Sequence, residues 1–186
     1  MYVIFFKRIV DFFLALCAFP FFCVIFIILA PFYFFMDRGP MFYSGMRLGR
    51  HGKPFPMHKF RSMRVNAPDI RLQDGSTYNG EDDPRVTKLG KFIRKTSLDE
   101  IPQILNVLKG DMSVIGPRPD TLDWLDKYKE EEKVFLDVRP GITGYNQAYF
   151  RNSVDAQEKI KNDVYYAKNI SFVLDAVSYT HLTLPT

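Results

Sequence analysis

Asp99 and Glu100 stand side by side in the run RKTSLDEIPQ, five residues after Arg94. Ser97 followed by Glu100 fits a capping box, which predicts both acids in the first turn of a helix, with Pro102 blurring where that helix starts. Free amides and the positive end of the helix dipole favour carboxylate ions there, and the same position suits a phosphate. Acids in a first turn are common stabilisers without further duty; the neighbouring arginines make this pair notable. Arg118 lies in GPRP, between Pro117 and Pro119, and Arg139 opens Arg139-Pro140-Gly141. Prolines hold the backbone while guanidinium groups offer forked donors to phosphate oxygens. Three rigidly carried arginines around an acidic pair point to phosphoryl transfer. Lys59 and Arg61, in KFRSM, share one face of an extended strand, as either a solvated basic edge or a phosphate contact.

Other groups carry less. Asp82 and Asp83 follow Glu81 and precede a proline, the pattern of a turn or cap; the alternative is a paired-aspartate metal site. His51, His58 and His181 are scattered without ligand spacing. Cys17 and Cys23 lie in an apolar segment and read as small hydrophobes. A net charge of +4 and a pI near 9.0 suit an anionic partner. Without an aromatic RNA-binding pattern or a cysteine-histidine finger, that partner is not nucleic acid.

These residues need elements to position them. The 186-residue chain has room for one domain and an appendage. Twelve of eighteen phenylalanines fall in the first 42 residues, so a mean hydropathy of −0.12 averages two different materials. Phe12–Met36 carries no charge and is long enough to cross a bilayer as one straight helix. Pro20 and Pro31 interrupt it, and basic residues flank both ends: Lys7 and Arg8 before, Arg38, Arg47, Arg50 and Lys53 after. Basic residues stay cytoplasmic, so the pattern predicts a re-entrant helix broken at Pro20, with a tilted single span as the alternative. Asp11 at the hydrocarbon entrance is expected to pair with Lys7 and Arg8 on one helical face, an anchor cluster.

Beyond the anchor, Met41–Met63 alternates around Gly49, Gly52 and Pro54 as a β-hairpin, and Asn66–Asp83 is a polar loop. Val86, Leu89, Phe92 and Ile93 mark a basic amphipathic helix, weakened by Gly90. Leu98, Ile101, Leu105 and Leu108 mark a second helix and Leu122–Leu136 a third; Trp124 is core or interfacial. The expected fold is α+β, a small, predominantly helical domain with a short hairpin on an N-terminal re-entrant membrane helix. The divisions are residues 1–38 as the anchor, 39–176 as the catalytic domain on the cytoplasmic face, and 177–186 as a non-native tail. That tail, VSYTHLTLPT, reads as a translated sequencing-library adaptor joined to a truncated gene.

The blocks RKTSLDEIPQILNVLKGDMSVIGPRP, RPGITGYNQA and DVYYAKNISFVLD, with the KRIVDF start, the proline-broken apolar segment and KFRSM, resemble the bacterial sugar transferase family of small monotopic phosphoglycosyl transferases. The likeness covers Lys7 to Asp175. It implies that Asp99 is a covalent nucleophile toward a uridine diphosphate sugar, releasing uridine monophosphate. Polyprenyl (undecaprenyl) phosphate then takes the sugar phosphate, the first membrane-bound step of glycan assembly. It further implies magnesium (Mg2+) near Asp99 and Glu100, with Glu100 open between metal support and helix capping. Arg94 and Arg118 would hold phosphates, Pro117 and Pro119 would frame the nucleotide end, and Arg139 is a weaker substrate contact. The implied partners are a UDP-sugar, polyprenyl phosphate and membrane lipid, with a homodimer left open, at the cytoplasmic face of a bacterial cytoplasmic membrane. Asn146–Arg151 departs from the family's commoner Ala-Gln-Val-Asn-Gly, so donor sugar specificity does not carry over. Two rival readings are a metal-dependent glycosyltransferase built on Asp82 and Asp83 that releases UDP, and a non-catalytic membrane scaffold. For the anchor, cysteines placed at Tyr2 and Arg47 should react with an impermeant thiol reagent from the same side of a vesicle; labelling from opposite sides would sink re-entry.

Overall fold

The computed structural model describes residues 6–70, 78, 80, 82–150 and 154–183, with backbone alone for 180–183. Gly75 and Glu81 of the polar stretch, Arg151 and the last three residues of the tail lie outside the described residues. The fold mixes helices with a short hairpin, as expected, and adds a second small sheet that was not expected. The chain divides into two compact units: residues 1–20, 44–57 and 103–186, and residues 21–43 and 58–102. Helix α1 (Lys7–Phe32) and the hairpin of β1 (Phe42–Leu48) and β2 (Pro54–Phe60) run through both.

Helix α1 is assigned without interruption through Pro20 and continues as a π-helical turn, Tyr33–Asp37. It is long and apolar enough to cross a membrane, and Phe13, Phe21, Ile27 and Phe34 are exposed on it. Exposed aromatic and aliphatic side chains in that density suit lipid better than water.

In the second unit, the buried face of α1 meets the open end of the hairpin. The Phe22 and Phe60 rings stack at 6.1 Å, Phe42 and Phe60 at 5.5 Å, and Phe26 and Phe42 at 5.7 Å. Tyr33 donates its hydroxyl to the Arg61 carbonyl at 2.5 Å. Helix α2 (Lys88–Lys95) buries Leu89 and Ile93 as its sequence pattern predicts, whereas Phe92, expected on the same face, is exposed, and Val86 precedes the helix in a bridge to Met63. The Thr87 hydroxyl accepts from the Gly90 amide at 2.9 Å, an N-cap. Gly90 is the reason α2 can pack as it does, because a methyl group there would overlap the Ser62 carbonyl.

In the first unit, α3 (Gln103–Lys109) leads to β3 (Ser113–Ile115), which pairs in parallel with β4 (Gly141–Thr143). Gly116, Gly141 and Gly144 allow backbone to lie directly against backbone, so GPRP and RPGITG are neighbouring loops. Helices α4 (Tyr145–Tyr149), α5 (Ala156–Asn169) and α6 (Phe172–Thr183) complete the unit. One buried cluster joins Ala15, Phe55, Met57, Val107 and Met112, and another joins Leu48, Tyr128, Phe135, Leu136 and Ile160.

Three local expectations are corrected. Leu122–Leu136 is not one helix but two 3-10 turns, Leu122–Trp124 and Lys133–Asp137. Leu122, Leu125 and Tyr128 repeat every three residues, the 3-10 period, and the amides of Leu125 and Lys127 bond three residues back. Trp124 packs against the second cluster, with the Lys127 ammonium 4.6 Å from its ring centre.

Next, the anchor charges do not pair along α1. Lys7 bridges Asp175 at 2.6 Å, Arg8 donates to the Val107 and Leu108 carbonyls, and Asp11 accepts from Ser113 Oγ at 2.7 Å and the Val114 amide at 3.0 Å. Buried donors and acceptors of α3 and β3 need partners more than an exposed helical ion pair would return.

Finally, Ser97 is not a capping-box residue. It adopts a left-handed conformation, φ 55°, without a side-chain cap. The Gly90→Ala variant is expected to lose about 1–3 kcal/mol of stability through overpacking; an unchanged thermal midpoint in detergent would contradict the α2 contact.

Candidate functional site

Helix α2 ends where the Thr96 hydroxyl donates back to the Phe92 carbonyl, and the left-handed Ser97 turns the chain into a 3-10 turn, Leu98–Glu100. Pro102 lacks an amide hydrogen, so α3 starts afresh after it. The acids therefore sit in a separate short turn, not in the capped first turn of a long helix.

The two carboxylates have different surroundings. Glu100 accepts from Lys59 Nζ at 2.9 Å, with both side chains about a quarter exposed. Among the described residues no ion pair holds Asp99. Burial pushes the Asp99 carboxyl above its ordinary value, Lys59 pulls it back, Glu100 raises it and Arg94 lowers it. The expected dipole-favoured carboxylate is thus replaced by one that desolvation disfavours and two nearby cations support. Arg94 is fixed on α2 and donates its Nε to Ser62 Oγ at 2.9 Å. Lys59, Arg94, Asp99 and Glu100 thus come together within one unit.

Arg61 has a different place from the one its spacing predicts. It lies beyond β2, is buried, and donates to the carbonyls of Pro40 at 2.6 Å, Met63 at 3.2 Å and Asp37 at 3.4 Å. Its guanidinium lies over the Tyr33 ring at 5.6 Å. Lys59 and Arg61 do not share a solvent face, because the strand ends at Phe60 and the chain turns inward.

In the other unit, Arg118 reaches toward the Ile142 carbonyl at 3.4 Å from the loop framed by Pro117 and Pro119. Arg139 donates to the Gly110 carbonyl at 2.9 Å, and with Arg8 it covers carbonyls at the end of α3. Burial and the nearby Arg50 and Arg8 lower the Arg139 pKa from its ordinary value. Cations at that helix end are favoured by its dipole, a structural use of Arg139.

Sequence reasoning missed a partly buried charge network in this unit. Lys159 Nζ lies 2.6 Å from Asp120 and 3.5 Å from Asp163. Burial alone would lower the Lys159 pKa, but Asp120 and Asp163 outweigh it and the net shift is upward. Burial pushes the Asp163 carboxyl up to about 6, against the pull of Lys159. The Lys159–Asp163 spacing of four in QEKIKND was the available signal.

Asp83 is no metal ligand. Arg85 grips both its oxygens, at 2.7 Å and 2.9 Å, and the Arg85 amide adds a third donor at 3.0 Å. The Arg85 side chain holds the Asp83 carboxyl below its ordinary range, and the aspartate is buried. Paired with Arg85, it fastens the polar loop by way of the Pro68 and Tyr78 carbonyls.

Among the described residues no cluster of three or more His, Cys, Asp or Glu side chains gathers around a point. Asp99 and Glu100 offer hard oxygen donors, and Mg2+ commonly binds one or two carboxylates plus substrate phosphates, so the donor set fits that ion.

The family model for bacterial sugar transferase matches residues 2–184. Galactosyl transferase CpsE of Streptococcus agalactiae is 48% identical over 147 residues, 75% of this chain and 33% of the relative. An undecaprenyl-phosphate galactose phosphotransferase of Salmonella typhimurium is 44% identical over 144 residues, 72% of this chain and 30% of the relative. The exopolysaccharide production protein ExoY of Sinorhizobium fredii is 36% identical over 183 residues, 92% of this chain and 80% of the relative. The chain spans about a third of the first two relatives and about four fifths of ExoY.

The upward shift at Asp99 sets a sign for stability. A raised folded pKa means the fold favours the neutral acid, so stability is lost as pH rises from the unfolded pKa through the folded one. Asp99→Asn should therefore raise the thermal midpoint at neutral pH, with the gain vanishing at acidic pH where Asp99 is protonated in both states. Equal midpoints at neutral pH would contradict the desolvation that raises the Asp99 pKa.

Proposed function

We propose that this chain, which belongs to the bacterial sugar transferase family, transfers a sugar 1-phosphate from a UDP-sugar to polyprenyl (undecaprenyl) phosphate. The observation carrying the reading is the asymmetry of the acid pair: Glu100 is ion-paired to Lys59, while Asp99 is half-buried, outside any ion pair among the described residues, and influenced by Lys59 and Arg94. The similarity to the Salmonella undecaprenyl-phosphate galactose phosphotransferase supports the same reaction class.

In the first half-reaction an Asp99 carboxylate oxygen attacks the sugar-bearing phosphorus of the donor. The bond between that phosphorus and the bridging oxygen breaks, and uridine monophosphate leaves with the electron pair. The aspartate then carries the sugar phosphate as a mixed anhydride. In the second half-reaction a phosphate oxygen of the polyprenyl acceptor attacks the same phosphorus, and Asp99 departs as a carboxylate. Each half-reaction forms and breaks one phosphorus–oxygen bond, a ping-pong sequence.

Desolvation leaves the Asp99 carboxylate less well solvated by water and more nucleophilic than an ion-paired acid, while Lys59 and Arg94 favour its ionised form against that net upward shift. Arg94, oriented by Ser62, and Arg118, held between two prolines, supply forked donors for phosphate oxygens, with Pro117 and Pro119 at the nucleotide end. Asp99 and Glu100 would hold Mg2+, which neutralises diphosphate charge when bound. Lys59 orients Glu100 for that task. The apolar α1 supports a membrane anchor, and the basic residues flanking it at both ends support one that re-enters the cytoplasmic leaflet and presents the acid pair at that face, although the helix itself continues through Pro20.

Protein in detergent, given sugar-labelled UDP-sugar and Mg2+, is expected to acquire covalent label and release UMP before any lipid is added. Asp99→Asn should remove both signals, a loss of several powers of ten in turnover. Normal turnover in that variant, or release of UDP in the wild type, would overturn the mechanism.

A further inference from the structure

The partly buried network around Lys159 has no part in the chemistry above, yet it reaches the loop that carries Arg118. Lys159, on α5, donates its Nζ to the Asp120 carboxylate at 2.6 Å and reaches the Arg118 carbonyl at 3.5 Å. Tyr128 donates its hydroxyl to the same Asp120 oxygen at 2.7 Å. On the other side of the ammonium, Asp163 lies 3.5 Å away and accepts from Asn146 Nδ2 at 2.7 Å, and Asn146 in turn accepts from Asn162 at 2.9 Å. Asp163 Oδ2 is buried and makes no hydrogen bond.

One cation between two carboxylates is a poor device for stability alone. Asp163 is buried and Lys159 and Asp120 are each about a quarter exposed, so holding the three charges costs solvation that well-packed apolar residues would not. What apolar residues would lack is direction: an ammonium with fixed partners on α5 holds a backbone carbonyl and a side chain of the loop at set positions. The prolines on either side of Arg118 restrict its backbone, but they do not set where the loop sits relative to α5. The Lys159 contact supplies that constraint.

We propose that Lys159 is a positioning residue for Arg118, locking the GPRP loop to α5 through Asp120 and the Arg118 carbonyl, so that the Arg118 guanidinium is preorganised for the phosphates of a nucleoside diphosphate sugar. This rests on the phosphate role given to Arg118 above. Asp163, itself held by the Asn146 amide, faces the ammonium from behind. The seat matters for binding and not for the bond-making step, so its loss falls on donor affinity.

The test is a double-mutant cycle on the full chain in detergent, with Mg2+ and saturating acceptor, reading donor KM and kcat separately. Lys159→Met and Arg118→Ala are each expected to raise donor KM on the order of tenfold, with kcat changed by less than about threefold. The double variant should be no worse than Arg118→Ala alone. If the two effects multiply, Lys159 acts independently of Arg118 and the inference is overturned. An unchanged KM in Arg118→Ala overturns the phosphate role of Arg118 and this inference with it; a raised KM there, with Lys159→Met at the wild-type value, overturns this inference alone. Asp120→Asn, which keeps the side-chain shape and leaves Lys159 beside Asp163, carries the same cycle where Lys159→Met does not fold. It should raise KM and be non-additive with Arg118→Ala, and additivity counts against the inference.

Discussion

Burial lifts the Asp99 carboxyl while Lys59 and Arg94 draw it back, and much of the second unit is arranged to keep that opposition in place. A carboxylate bound tightly by a cation would be stable but occupied; one left in water would be stable but well solvated. The fold avoids both by giving Lys59 to Glu100 and Arg94 to Ser62, so that the cations act on Asp99 from fixed points without being tied to it. Those points depend on α2 lying against the Ser62 backbone, which the missing side chain of Gly90 permits. They depend also on the left-handed Ser97, which turns the chain out of α2 before the acids.

The entrance to the membrane segment meets a related constraint in the first unit. Lys7, Arg8 and Asp11 occupy the first turns of an otherwise apolar helix, where charges without partners are costly. Each is matched to a distant group with an unfilled bond: Lys7 to Asp175, Arg8 to the last carbonyls of α3, Asp11 to Ser113 and the Val114 amide. Polar residues that a hydropathy profile marks as flanks thus fasten the helix to β3, α3 and α6. Arg139 joins the same pattern at Gly110, which accounts for its position without a substrate.

Much of the site was legible because its chemistry is concentrated in short runs. RKTSLDEIPQ, GPRP and RPGITG stand out through proline, glycine and charge, and the hairpin and α2 follow from alternation and helical spacing. Roles decided by contacts between distant residues were not legible. Arg61 and Lys59 sit two apart in a basic strand, yet one serves carbonyls and the other an acid, because the strand stops between them. Asp83 looks like half of a metal pair until Arg85 is seen on both its oxygens. Lys159, Asp120 and Asp163 are unremarkable charges until α5 brings them together.

The sequence by itself determined the family, the acid pair with its neighbouring arginines, and an apolar segment of membrane-crossing length, because these reside in residue type and close spacing. Only the tertiary structure decided that Asp99 is the half-buried acid that desolvation acts on and Glu100 the ion-paired one, that the anchor charges are ties to other elements, and that Lys159 grips the GPRP loop. The reason is physical: ionisation and hydrogen bonding depend on which distant groups exclude water and which supply partners, and adjacency along the chain encodes neither.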